Sequence, residues 1–153
     1  MLCSNRQMAI KRNLAAASVL AALFVFGLSL AAQSGETYKA RLSPVPADAK
    51  TRPDLAGIGT ATGVLSGTKL TVTGTFDGLK SAATVARLHD GVAAGVRGSS
   101  FIDLTISKST GGSLSGSAEL TPQQLQHLRK GGIYVQIHSE KAPEGVLWGW
   151  LVR

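Results

Sequence analysis

Three histidines and two tryptophans carry most of the chemistry this chain can offer. His89 closes the segment Val85-Ala86-Arg87-Leu88-His89, and His138 closes Tyr134-Val135-Gln136-Ile137-His138. His127 stands apart, near Gln124. In an extended strand alternate side chains share a face, so Arg87 lies with His89, and Tyr134 and Gln136 lie with His138. Neutral imidazoles contributed by two strands can bind copper or zinc, which makes His89 and His138 a candidate two-histidine metal site. Arg87 stays cationic and cannot ligate; together with His89 it offers an anion or carboxylate site instead. A third possibility is that both histidines simply hydrogen-bond to loop backbone at the ends of their strands. The motifs H-E-x-x-H, G-x-S-x-G and a phosphate-cradling glycine loop do not occur in the sequence. The expectation is therefore a non-enzymatic protein with no catalytic residue and no resident cofactor, copper or zinc at His89 and His138 being the alternative.

The tryptophans sit in the final stretch. Val146, Trp148, Trp150 and Val152 alternate with Leu147, Gly149 and Leu151, so this strand is apolar on both faces. An antiparallel strand with one wetted face alternates apolar with polar. Either both faces are covered, by packing or by self-association, or Val146, Trp148 and Trp150 form an exposed patch. Such a patch suits a partner protein, a glycan or a membrane surface.

The elements that must position these residues read as short strands. Period-2 alternation runs through 37–42, 57–65, 70–76, 84–89, 100–107, 114–120, 133–138 and 146–152, with turn dipeptides such as Asp77-Gly78, Asp90-Gly91 and Gly111-Gly112 between them. Residues 43–56 read as a surface loop. One segment is helical: Thr121-Pro122-Gln123-Gln124 supplies a cap, an N-terminal proline and a glutamine three residues on, and Gly131-Gly132 stops the helix after two to three turns. About eight strands with one short helix predict an antiparallel β-sandwich or barrel in a single domain, 32–153.

Residues 1–31 read as a signal peptide. Arg6, Lys11 and Arg12 precede an apolar run from Leu14 to Leu28, and Ser29-Leu30-Ala31 provides small residues for cleavage before Ala32. Membrane contact is expected only through this segment before cleavage; its retention as an anchor is the alternative. The destination is the periplasm or the outside of the cell. The formal charge of +7 and the single cysteine owe much to this leader: residues 32–153 hold thirteen basic and nine acidic side chains, a charge of +4, and no cysteine. The remaining cations are scattered without interleaved aromatics, which argues against nucleic acid as a partner.

The segments Ala86-Arg87-Leu88-His89 with Gly91 and Gly95, and Tyr134-Val135-Gln136-Ile137-His138 with Pro143, Gly145, Gly149 and Leu151, resemble the CHRD (chordin) domain family. Tyr38–Ser43 and the helix entering at Leu120-Thr121 are similar to the family as well, so the resemblance covers roughly 38–152. It implies an exported immunoglobulin-like or Cu,Zn-superoxide-dismutase-like β-sandwich that acts as a binding or interaction module rather than an enzyme. Two departures stand out. Arg87 replaces a histidine of the family's pattern, and Val146, Trp148 and Trp150 replace polar residues near its end.

Overall fold

A computed structural model describes residues 35–153. The leader 1–31 and Cys3 lie outside the described residues. Eight strands form: β1 (Glu36–Pro44), β2 (Ile58–Ser66), β3 (Lys69–Asp77), β4 (Ala83–Asp90), β5 (Ser99–Ile106), β6 (Gly112–Glu119), β7 (Ile133–Ser139) and β8 (Leu147–Trp150). A short helix, α1 (Pro122–Arg129), joins β6 to β7, and a single 3₁₀ turn at Arg52–Asp54 interrupts the long β1–β2 loop.

The strands are antiparallel and follow the order β1-β2-β3-β6-β5-β4-β7-β8, the last returning to the first. This corrects the expected immunoglobulin-like or superoxide-dismutase-like sandwich: the molecule is a closed barrel. Closure occurs because β1 is paired on both sides. It runs against β2 from Glu36↔Leu65 to Leu42↔Gly59, and its far end pairs with β8 at Ser43↔Trp148 and Pro44↔Leu147. A further bridge is reciprocal, with Lys39 N donating to Val152 O at 2.7 Å and Val152 N to Lys39 O at 2.9 Å. No sheet edge is left at this seam to solicit another strand.

Alternation fills the interior. Tyr38, Ala40 and Leu42 of β1 point inward with Leu70, Val72 and Phe76 of β3, Ala86 and Leu88 of β4, Val135 and Ile137 of β7, and Leu147 of β8, all buried. The intervening Thr37, Lys39, Arg41, Thr71, Thr73 and Thr75 are exposed. An apolar interior and a polar exterior make this a packed core, the reverse of barrels whose apolar side chains face lipid.

The helix is built as its sequence dictates. Thr121 Oγ1 accepts from Gln124 N at 3.2 Å, and Thr121 N donates to Gln124 Oε1 at 2.9 Å, closing a capping box. Leu128 is its fully buried anchor, and Gly131 (φ 72°) ends it in the left-handed region.

At the β1–β8 seam the backbones approach closely at Gly149. A Cβ there would stand 2.4 Å from Arg41 O and 2.9 Å from a Leu42 methyl group. Only a glycine lets β8 pass this close beneath β1. Gly149→Ala is expected to loosen the β1–β8 seam and cost about 1–3 kcal/mol, read as a lower urea midpoint. An unchanged midpoint would show that the seam tolerates the extra volume.

Candidate ligand-binding face

Strands β4, β7 and β8 lie side by side, and their register decides which side chains meet. His89 sits opposite Tyr134, which sits opposite Trp150; Arg87 sits opposite Gln136, which sits opposite Trp148. Their neighbours in sequence point into the core, so these residues share the outer face of the sheet. The middle strand is buried on both sides along its whole length, Tyr134, Gln136 and His138 included. The loops that follow β4 and β7 cover it.

The outer face is an aromatic stack. The His89 and Tyr134 rings lie nearly parallel, 4.7 Å apart at 16°. Tyr134 meets Trp150 at 5.0 Å and, edge-on, Trp148 at 6.2 Å; the two indoles are 4.7 Å apart. These spacings fall in the favourable range for aromatic pairs. Arg97, from the loop after β4, places its guanidinium 4.7 Å from the centre of the Trp148 ring, a cation–π contact.

Backbone clasps hold this arrangement. The Tyr134 hydroxyl donates to Gly98 O at 3.2 Å and accepts from Gly98 N at 3.3 Å, while His89 Nδ1 lies 3.0 Å from the same carbonyl. On the other side Gln136 Nε2 donates to Glu144 O at 2.8 Å, and His138 Nδ1 lies 2.8 Å from Pro143 O. A carbonyl only accepts, so both histidines carry their proton on Nδ1, leaving Nε2 as a bare acceptor. Neither Nε2 nor Trp150 Nε1 finds a partner among the described residues, although all three atoms are buried. Burial above all holds the His89 imidazole below its usual pKa of 6.5; repulsion from His138, Arg87 and Arg97 acts in the same direction, against the Gly98 carbonyl bond.

The histidines are not joined in one site. His138 is opposite Val85, four residues along β4 from His89, so their backbone positions are offset by about 13 Å along the strands. His89 lies flat on Tyr134 rather than reaching toward it. Among the described residues no group of three or more His, Cys, Asp or Glu side chains could hold a metal ion. The copper or zinc reading therefore gains no support, and each histidine serves to hold a loop. Arg87, on the same face as His89, donates its Nε to Asp103 Oδ1 at 2.8 Å.

Trp148 and Trp150 are half-buried, but Val146 is completely buried in the core and offers nothing to a surface patch. The reason is local. The chain turns at Gly145 (φ 126°), and the period of two that links Trp148 to Trp150 begins only at Leu147, after that turn. His127 has a separate role, its Nδ1 2.7 Å from Asp90 Oδ1.

Sequence reasoning missed Arg97, which looked like one scattered cation among several, and the cleft it borders. A cavity of about 170 Å³ opens between the 45–55 loop and the 141–145 loop, with Arg97 at its edge. The only sequence signal for it was that Tyr134, Gln136 and His138 share one face.

The site is thus a loop-clasped aromatic face on a small antiparallel barrel. The chain matches the CHRD domain model over residues 38–151 and belongs to that family. No curated protein and no solved structure matches it.

The His89 shift has a sign that can be tested. A folded-state pKa below the unfolded value means that the unfolded chain takes up the proton first, so stability is full above about pH 6.5 and is lost as pH falls through the folded pKa. His89 is expected to titrate below 6.5 by NMR. His89→Gln is expected to lose less stability than the parent between pH 7 and 5; an equal loss would contradict the assignment.

Proposed function

We propose that this protein is an exported, non-enzymatic binding module that engages a partner protein or glycan through the outer face of β4, β7 and β8. The observation that carries the reading is the pair Trp148 and Trp150, half-exposed on a rigid strand and backed by Tyr134. Large, rigid aromatic side chains lose little entropy on binding and dominate interface energetics. Trp148 and Trp150, 4.7 Å apart, give this face its apolar character. The basic, apolar and small-residue succession of residues 1–31 supports export.

The test is the double variant Trp148→Ser, Trp150→Ser. The parent protein is expected to show saturable retention on a glycan array, or to self-associate in sedimentation equilibrium. The variant is expected to lose that interaction while keeping the circular dichroism of the barrel. A parent that does neither, or a double variant that is unfolded, would overturn the reading.

A further inference from the structure

The 170 Å³ cleft bordered by Arg97 has two walls, and both are built. On one side Asp48 Oδ1 accepts from Lys50 N at 2.9 Å and from Thr51 N at 2.8 Å, folding the β1–β2 loop into a compact turn that ends in the 3₁₀ segment bearing Asp54. Val45 N donates to Val146 O at 3.1 Å and ties this loop to the start of β8. The opposite wall is held by the buried side chains of β7, through the Gln136–Glu144 and His138–Pro143 bonds already described, and by Lys141 N donating to Ser81 Oγ at 3.0 Å. A cleft whose walls are fixed by such bonds is preformed, as small-molecule sites usually are.

Its lining combines apolar side chains, including Val45, Leu55 and Pro143, with four charged residues: Arg97 and Lys141, Asp54 and Glu144. Elsewhere in the barrel Arg87 pairs with Asp103 and Arg153 with Glu36. None of the four at the cleft forms an ion pair among the described residues, with one another or with anything else. Two cations and two anions thus border a small apolar space and leave one another unneutralised. Arg97 is moreover held against the Trp148 ring, and a guanidinium pairs readily with a carboxylate.

We infer that this cleft binds a small zwitterion with an apolar side chain, an α-amino acid. Arg97 and Lys141 take the carboxylate, Asp54 and Glu144 take the ammonium, and the side chain rests on Val45, Leu55 and Pro143. A dry cavity of about 150 Å³ holds a benzene ring, so the space suffices for such a side chain. The inference rests on the reading of this face as the binding surface and names a ligand class for its edge.

Arg97, which lines the cleft, lies on the Trp148 ring, so intrinsic fluorescence reports on the cleft through that contact. The purified protein is titrated with L-leucine, with L-leucinamide, which lacks the carboxylate, and with N-acetyl-L-leucine, which lacks the ammonium. Leucine is expected to give a saturable change, and each analogue to bind at least tenfold more weakly. Arg97→Gln is expected to weaken leucine at least tenfold and to erase its advantage over leucinamide; Lys141→Gln should weaken it in the same direction. No saturable change with leucine, analogues that bind as well as leucine, or an unchanged affinity in Arg97→Gln would each overturn the inference. If leucine fails while Trp148→Ser, Trp150→Ser still abolishes partner binding, only the ligand class falls. If the double variant retains its partner, the reading of the face falls with it.

Discussion

Everything in this molecule depends on how β8 is inserted between β7 and β1. Two regular residue pairs and one reciprocal bridge join β8 and its extension to β1, and the strand lies there close enough that Gly149 nearly touches the Arg41 carbonyl. With that seam made, eight strands enclose one apolar core. Without it, β1 and β8 would both be open edges on a sheet of Thr-rich strands. The sequence spends its final residues on this insertion, and Trp-Gly-Trp is its compact form: glycine inward for the close approach, indoles outward on either side.

Closure also explains why β7 is apolar and polar at once. As the neighbour of β8 it has a core face of Ile133, Val135 and Ile137, fully buried. Its other face is roofed by loops, and there the strand carries Tyr134, Gln136 and His138. Each spends a hydrogen bond on a loop backbone group, at Gly98, Glu144 or Pro143. Buried polar side chains are costly unless satisfied, and here the satisfaction is also what fixes the loops. The loops in turn carry the groups that meet solvent: Arg97 after β4, Lys141 and Glu144 after β7.

How much of this was legible in the residues follows from how local each feature is. The strands and the capping box could be read because alternation and Thr121-Pro122-Gln123-Gln124 are patterns of adjacent residues. Whether the strands fold as a sandwich or a barrel could not, because it turns on β1 pairing with β8 across the length of the domain, and period-2 alternation is the same in both. The histidines illustrate a second limit. A shared face was legible for Tyr134 and His138, but not the register that puts Tyr134, rather than His138, opposite His89. Val146 marks a third: alternation assigns faces only inside a regular strand, and the turn at Gly145 ends its authority. The cleft was invisible because its walls are two loops with no sequence relation.

Arg87 shows how the outer face disposes of a cation beside His89. It faces the same side as His89, yet its guanidinium turns to Asp103 on β5. Both groups are substantially exposed, so the pair contributes at most about 1 kcal/mol; its effect is to occupy the cation rather than to hold the fold. The charge left uncommitted near the aromatic face is that of Arg97, which lies on Trp148 and has no carboxylate partner. The uncommitted cation and the two indoles thus lie together at β8. The face assembled from Trp148, Trp150 and Arg97 involves neither histidine as a ligand, and the two histidines do what their bonds show, which is to hold loop backbone at Gly98 and Pro143.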